Sequence, residues 1–149
     1  LCTILNGVDV SEEIRTPEMS MAASDISAKK EVRQSLLSLQ RRMGENGGVV
    51  LEGRDVGTVI FPNAEAKFFL DASLEERGKR RYKELAAKGL DVTLEQTIED
   101  VRKRDINDSS RDIAPLKMAA DSILVDSTNI GIEEVVEKMI EVVQNKVDQ

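Results

Sequence analysis

The sequence has no histidine, and its lack excludes Ser-His-Asp triads, Cys-His dyads, metalloprotease helices and histidine general bases together. Any chemistry must rest on carboxylates, Arg, Lys and a bound cation. Cys2 is the single cysteine, so neither an internal disulfide nor a thiol zinc site can form; this suits a reducing compartment. No apolar run approaches the ~20 residues that span a bilayer, and no charged stretch leads into an apolar signal core. A soluble, unexported, cytoplasmic protein is expected. Nothing matches G-x-x-x-x-G-K-[ST], the loop whose backbone amides and lysine hold the phosphates of ATP. The chain opens at Leu1, without an initiator methionine, in what reads as the middle of a strand, and an N-terminal segment is expected to be missing.

What is present fits one partial domain: 149 residues can bury a core unaided. The net charge of −7 argues against a general nucleic-acid binder. Charge is unevenly placed, since residues 73–111 hold ten Lys and Arg against nine Asp and Glu. A locally basic patch on an acidic protein suits a small polyphosphate better than a duplex.

Four segments follow from local signals. In residues 1–48, Ile4 and Leu5, then Asn6-Gly7, then Val8 and Val10 predict a hairpin. Thr16-Pro17 predicts a helix start, with helical pattern to about Met43 broken near Ala28 to Lys30. In residues 49–72, Val49 to Leu51 and Phe68 to Leu70 read as buried parallel strands. In residues 73–116, Ser73 with Glu76 and Thr93 with Gln96 are capping-box signatures. They open helices to about Lys88, closed by Gly89, and to about Lys103. In residues 117–149, a strand at Ile123 to Val125 precedes a helix with Ile132, Val135, Val136, Met139, Ile140 and Val143 on one face. Strand-helix alternation predicts an α/β fold with a parallel sheet flanked by helices, and ligands in such sheets bind beyond the carboxyl ends of the strands.

Charged residues follow those strand ends. Gly53 allows a sharp turn after Glu52, Arg54 could hold a phosphate by two hydrogen bonds, and Asp55 could orient it or bind a magnesium-held water. A structural ion pair near a turn reads equally well. Arg77, Arg80 and Arg81 could surround a migrating phosphoryl group, or form a solvated helix face paired with Glu76. Arg104, Asp105, Asp108 and Arg111, among the turn formers Asn107, Ser109 and Ser110, could be a lid loop or a polar helix end and linker.

The order of segments resembles the bacterial cytidylate kinases. The residues that carry the resemblance are Val10-Ser11-Glu12-Glu13-Ile14-Arg15-Thr16, Ala23-Ser24, Val32-Arg33, Gly53-Arg54-Asp55-Val56-Gly57-Thr58 and Phe61-Pro62. They continue with Phe69-Leu70-Asp71-Ala72-Ser73, Glu76-Arg77, Arg80-Arg81, Arg104-Asp105, Asp108-Ser109, Arg111, Ala114-Pro115-Leu116 and Asp126-Ser127-Thr128. The resemblance implies a P-loop nucleoside monophosphate kinase fold, here without its N-terminal strand and phosphate loop. The implied reaction moves the γ-phosphoryl of ATP, with Mg2+, onto CMP or dCMP, in an enzyme that is monomeric at full length and binds neither nucleic acid nor membrane. It further implies that Ser24, Arg33, Glu52 and Arg111 read the cytosine, that Arg104 and Asp108 meet the sugar or lid, and that Arg54 holds the acceptor phosphate. Arg77, Arg80 and Arg81 would belong to the lid over the donor, and Glu52 stands where the family often has Asp. The chain alone is expected to be inactive; a non-catalytic nucleotide-binding fragment and a helical interaction module are the alternatives.

Overall fold

The computed structural model describes residues 2–147, which divide into two units, Leu1–Gly47 and Gly48–Gln149. In the first, strands β1 (Ile4–Leu5) and β2 (Val8–Asp9) pair antiparallel, with Ile4 opposite Asp9 and Leu5 opposite Val8. The turn between them has Asn6 at φ 52° and Gly7 at φ 83°, the left-handed pair that a two-residue hairpin requires. Helix α1 (Pro17–Ser27) starts with Thr16 accepting a hydrogen bond from the Met19 amide at 3.3 Å. Helix α2 (Lys30–Met43) follows the expected break, and Arg33 donates to the Ser27 carbonyl at 2.9 Å, tying its first turn to the end of α1. The apolar side chains Leu36 and Leu39 of α2 are exposed.

The second unit carries the expected parallel α/β arrangement. Strands β3 (Phe68–Asp71) and β4 (Ile123–Asp126) pair in parallel, in register from Phe68 opposite Ile123 to Asp71 opposite Asp126. Between them run α3 (Leu74–Ala87) and α4 (Leu94–Ser109), and α5 (Ile132–Val147) follows β4. At Thr93 both arms of the capping box form, each at 3.2 Å. At Ser73 only one does: its hydroxyl accepts from the Glu76 amide, but its own amide donates to the Thr128 hydroxyl at 2.9 Å, and Glu76 turns to Arg80 instead. A tertiary partner has replaced the local one.

Helices α3 and α4 pack closely because residue 78 is glycine. A Cβ there would lie 2.3 Å from Ile98 Cγ1 and 3.2 Å from Ile98 Cα, so the crossing tolerates no side chain. Leu85 of α3 and Thr97 of α4 are buried, as are Ile60, Ala72 and Val125 elsewhere in the unit. The apolar stripe of α5 is present but uncovered, with Ile132, Val136, Ile140 and Val143 all exposed.

Two expectations are corrected. Val49 to Leu51 form no strand, and Val50 is fully exposed. A strand needs a ladder partner, and among the described residues β3 and β4 pair only with each other. Helix α4 also continues past Lys103 to Ser109, so Arg104, Asp105 and Asp108 are helical residues rather than parts of a mobile loop. The Ser109 hydroxyl bonds back to the Asp105 and Ile106 carbonyls, and Asp108 is fixed by ion pairs described below; these contacts override the turn tendencies of Asn107 and Ser109.

Candidate functional site

After Leu51 the chain turns at Gly53, where a Cβ would meet Val56 Cγ2 at 2.8 Å. The buried Asp55 presents its carbonyl to the amides of Thr58, Val59 and Ile60 at 3.3, 2.9 and 3.3 Å. The Phe61 amide donates to the Val56 carbonyl at 2.7 Å, closing a single π-helical turn over Val56–Ile60. This wound segment sends the Arg54 guanidinium to α4, where its Nε lies 3.0 Å from Asp108 Oδ2.

Asp108 is the centre of the site. It is 1% exposed, and a buried carboxylate must be paired to remain ionised. Three guanidiniums converge on it: Arg54, Arg104 at 3.7 Å, and Arg111, whose side chain is itself buried. Within these four residues positive charge exceeds negative by two. Arg104 Nε is buried with no hydrogen-bond partner. Burial, reinforced by repulsion from Arg54, pulls the Arg104 guanidinium below its ordinary pKa, with Asp108 opposing the shift. The Asp108 carbonyl accepts from the Leu116 amide at 2.7 Å, drawing the Ala114-Pro115-Leu116 segment back onto α4; Ala114 takes a left-handed φ of 52°.

The arginines of α3 are arranged differently. Arg77 donates through Nε to the Ala72 carbonyl at 2.9 Å and through a terminal nitrogen to Asp105 at 2.5 Å, linking the end of β3 to α4. Arg80 holds the turn after β4, bonding the Ser127 hydroxyl at 3.1 Å, the Ser127 carbonyl at 2.6 Å and Glu76 at 3.0 Å. Ser127 is buried and donates its hydroxyl to the Asp71 carbonyl at 2.9 Å, clasping the two strand ends. Arg81 pairs with Glu84 at 2.7 Å.

Of the residues singled out from the sequence, Arg54, Arg104, Asp108 and Arg111 therefore meet, Asp55 supports the Arg54 turn from within, and Arg77, Arg80 and Arg81 each have other partners. Glu52 is exposed at the start of the turn. Ser24, buried on α1, and Arg33, on α2, belong to the first unit. Among the described residues no group of three or more His, Cys, Asp or Glu could hold a metal ion.

The family model described as Cytidylate kinase matches residues 2–145. The chain belongs to the cytidylate kinase family. Relatives named cytidylate kinase include that of Syntrophotalea carbinolica, 59% identical over 143 residues, a match covering 96% of this chain and 61% of the relative. That of Geobacter sp. strain M21 is 56% identical over 149 residues, covering 99% of this chain and 64% of the relative. That of Caldicellulosiruptor bescii is 50% identical over 147 residues, covering 96% and 65%. The chain thus spans less than two thirds of the length of these cytidylate kinases.

Two residues of this chain carry structural roles that its sequence does not signal. Ser127 stands out in the sequence only as part of the Asp126-Ser127-Thr128 segment, not as the partner of Arg80. Lys67 was not noticed at all, although it is 8% exposed and bonds the Pro62 carbonyl at 2.6 Å. A lysine immediately before a strand carries no local signal of burial.

Proposed function

We propose that this chain is the acceptor-binding portion of a kinase that transfers the γ-phosphoryl group of ATP to CMP or dCMP, giving CDP or dCDP in pyrimidine nucleotide metabolism. The observation that carries the reading is the convergence of Arg54, Arg104 and Arg111 on the buried Asp108. Phosphoryl transfer is catalysed chiefly by positioning and by neutralising phosphate charge, and an excess of guanidinium charge fixed before the substrate arrives does both.

In this reading Arg54 holds the acceptor phosphate. Its Nε faces Asp108, and terminal guanidinium nitrogens serve the phosphate oxygens. Arg104 and Asp108 meet the sugar or the lid, while Glu52 and Arg111 read the cytosine; a carboxylate at position 52 can accept from the cytosine amino group. Arg77, Arg80 and Arg81 cover the donor. Arg81 is the easiest of these to redirect, because its partner Glu84 is a surface residue. Magnesium arriving with the donor would supply charge neutralisation at its phosphates. The donor cradle itself needs a phosphate loop, a motif that these 149 residues lack. A cytoplasmic, monomeric complete enzyme without membrane or nucleic-acid partners belongs to the same proposal.

Coupled assays of the complete kinase with CMP, dCMP, AMP and GMP test it. CMP and dCMP should be preferred, because a site built to hydrogen-bond one base leaves buried polar groups unpaired with another. Equal efficiency with AMP and CMP would sink the assignment. The 149-residue chain alone should bind CMP calorimetrically yet form no CDP from ATP; turnover by a clean preparation would show that it has a donor site of its own.

A further inference from the structure

Lysine is among the residues least often buried in folded proteins unless it is paired, yet Lys67 is sunk beneath the turn that presents Arg54. Its ammonium donates to the Pro62 carbonyl at 2.6 Å and pairs with the exposed carboxylate of Asp121. Its aliphatic stem passes under Gly57, where an added Cβ would stand 3.3 Å from Lys67 Cδ. Its own carbonyl accepts from the Ile123 amide at 2.9 Å, so the residue is anchored at the start of the β3–β4 pair.

These contacts place Lys67 at the rear of one continuous wound segment. The front of that segment is Arg54, held by Asp108; the middle is wound on the Asp55 carbonyl; the back is Pro62, held by Lys67. The segment belongs to neither strand nor α-helix, so its position relative to the sheet depends on such side-chain braces. Building on the acceptor-site reading above, we infer that Lys67 is a positioning residue for acceptor binding: acting through the Val56–Ile60 turn, it sets where Arg54 meets the acceptor phosphate. It touches no substrate. Shifting a phosphate-holding guanidinium by about 1 Å is enough to weaken its contacts severely.

The test uses the complete kinase. Lys67→Met keeps the stem against Gly57 and removes the ammonium. It should raise the KM for CMP about ten-fold while kcat falls less than about three-fold and the KM for ATP is unchanged. Lys67→Arg, which restores a donor, should recover much of the loss. The deciding measurement is a double-mutant cycle: in an Arg54→Ala background, Lys67→Met should add less than about two-fold, because the residue through which it acts has gone. A full ten-fold effect in that background, or a wild-type KM in Lys67→Met, overturns the inference. Amide exchange gives a readout independent of turnover. Protection at Val59, Ile60 and Phe61 should fall at least about ten-fold relative to the α4 amides, and unchanged protection also overturns the inference. If the kinase does not use CMP, the function reading fails while exchange still decides the brace. Should Lys67→Met not fold, Asp121→Asn at the exposed end of the pair should show the same pattern at about two-fold, and no change in either readout counts against the inference.

Discussion

The two sets of arginines in the second unit obey different electrostatic rules. On α3, Arg77, Arg80 and Arg81 are each matched: one to Asp105 and the Ala72 carbonyl, one to Ser127 and Glu76, one to Glu84. Around the end of α4, Arg54, Arg104 and Arg111 crowd one carboxylate, and Arg104 keeps a buried nitrogen without a hydrogen bond. The matched set is what a fold uses to hold itself together. In the crowded set repulsion from Arg54 helps to pull the Arg104 guanidinium down, and a charged group perturbed in this way is a candidate for meeting an anion.

The sharpest break in this comparison is Asp108→Asn. Removing the charge that three guanidiniums share should destabilise the second unit by about 3 kcal/mol, toward the low end for a broken buried pair because Arg54 and Arg104 are partly exposed. Urea unfolding checks it, and a loss below about 0.5 kcal/mol would mean that the cluster is already solvated. Next comes Arg54→Ala in the complete kinase, expected to raise the KM for CMP about twenty-fold with little change in melting temperature. A large melting shift with KM intact would move Arg54 into the matched class. Arg80→Ala should behave oppositely, costing about 1 kcal/mol of stability through the lost Ser127 bonds. Unaltered stability with a collapse in kcat would mean that Arg80 serves the donor alone and does not brace the fold.

The smallest effect concerns Glu84. Hydrogen bonds from Arg81, and less strongly from Lys88, hold its carboxyl below the ordinary value of 4.5. A carboxylate depressed in the folded state contributes stability above its unfolded pKa and loses it as pH falls through the folded one. Glu84 itself is 47% exposed, so solvent screening holds the contribution to about 0.3 kcal/mol. Glu84→Gln should therefore lower stability slightly at pH 7 and converge with the unsubstituted protein in strong acid. Divergence toward low pH would reverse the sign.

Signals confined to a few neighbouring residues were legible in the sequence. Asn6-Gly7, Thr16-Pro17 and the Thr93-Gln96 box act through the chain's own backbone, and each appears where expected. The corrections came where distant residues decide. The end of α4 is held by Arg54, about fifty positions away in sequence, and no window around Asn107 and Ser109 contains that information. Val49 to Leu51 has a strand's composition without a ladder partner among the described residues. For the site, motif matching found the four residues that converge, but not Lys67, whose burial depends on Pro62 and Gly57 lying over it.

The missing side chain at position 78 has a consequence for how this sequence can drift. With Ile98 Cγ1 only 2.3 Å from where a methyl group would stand, positions 78 and 98 are not independent letters. Alanine at 78 becomes acceptable only if residue 98 first shrinks, and because Ile98 Cα is also close, at 3.2 Å, even glycine at 98 would require the two helices to separate slightly. Across descendants of this chain, glycine at 78 should outlast nearly every substitution on the exposed faces of α3, kept there by the closeness of Ile98.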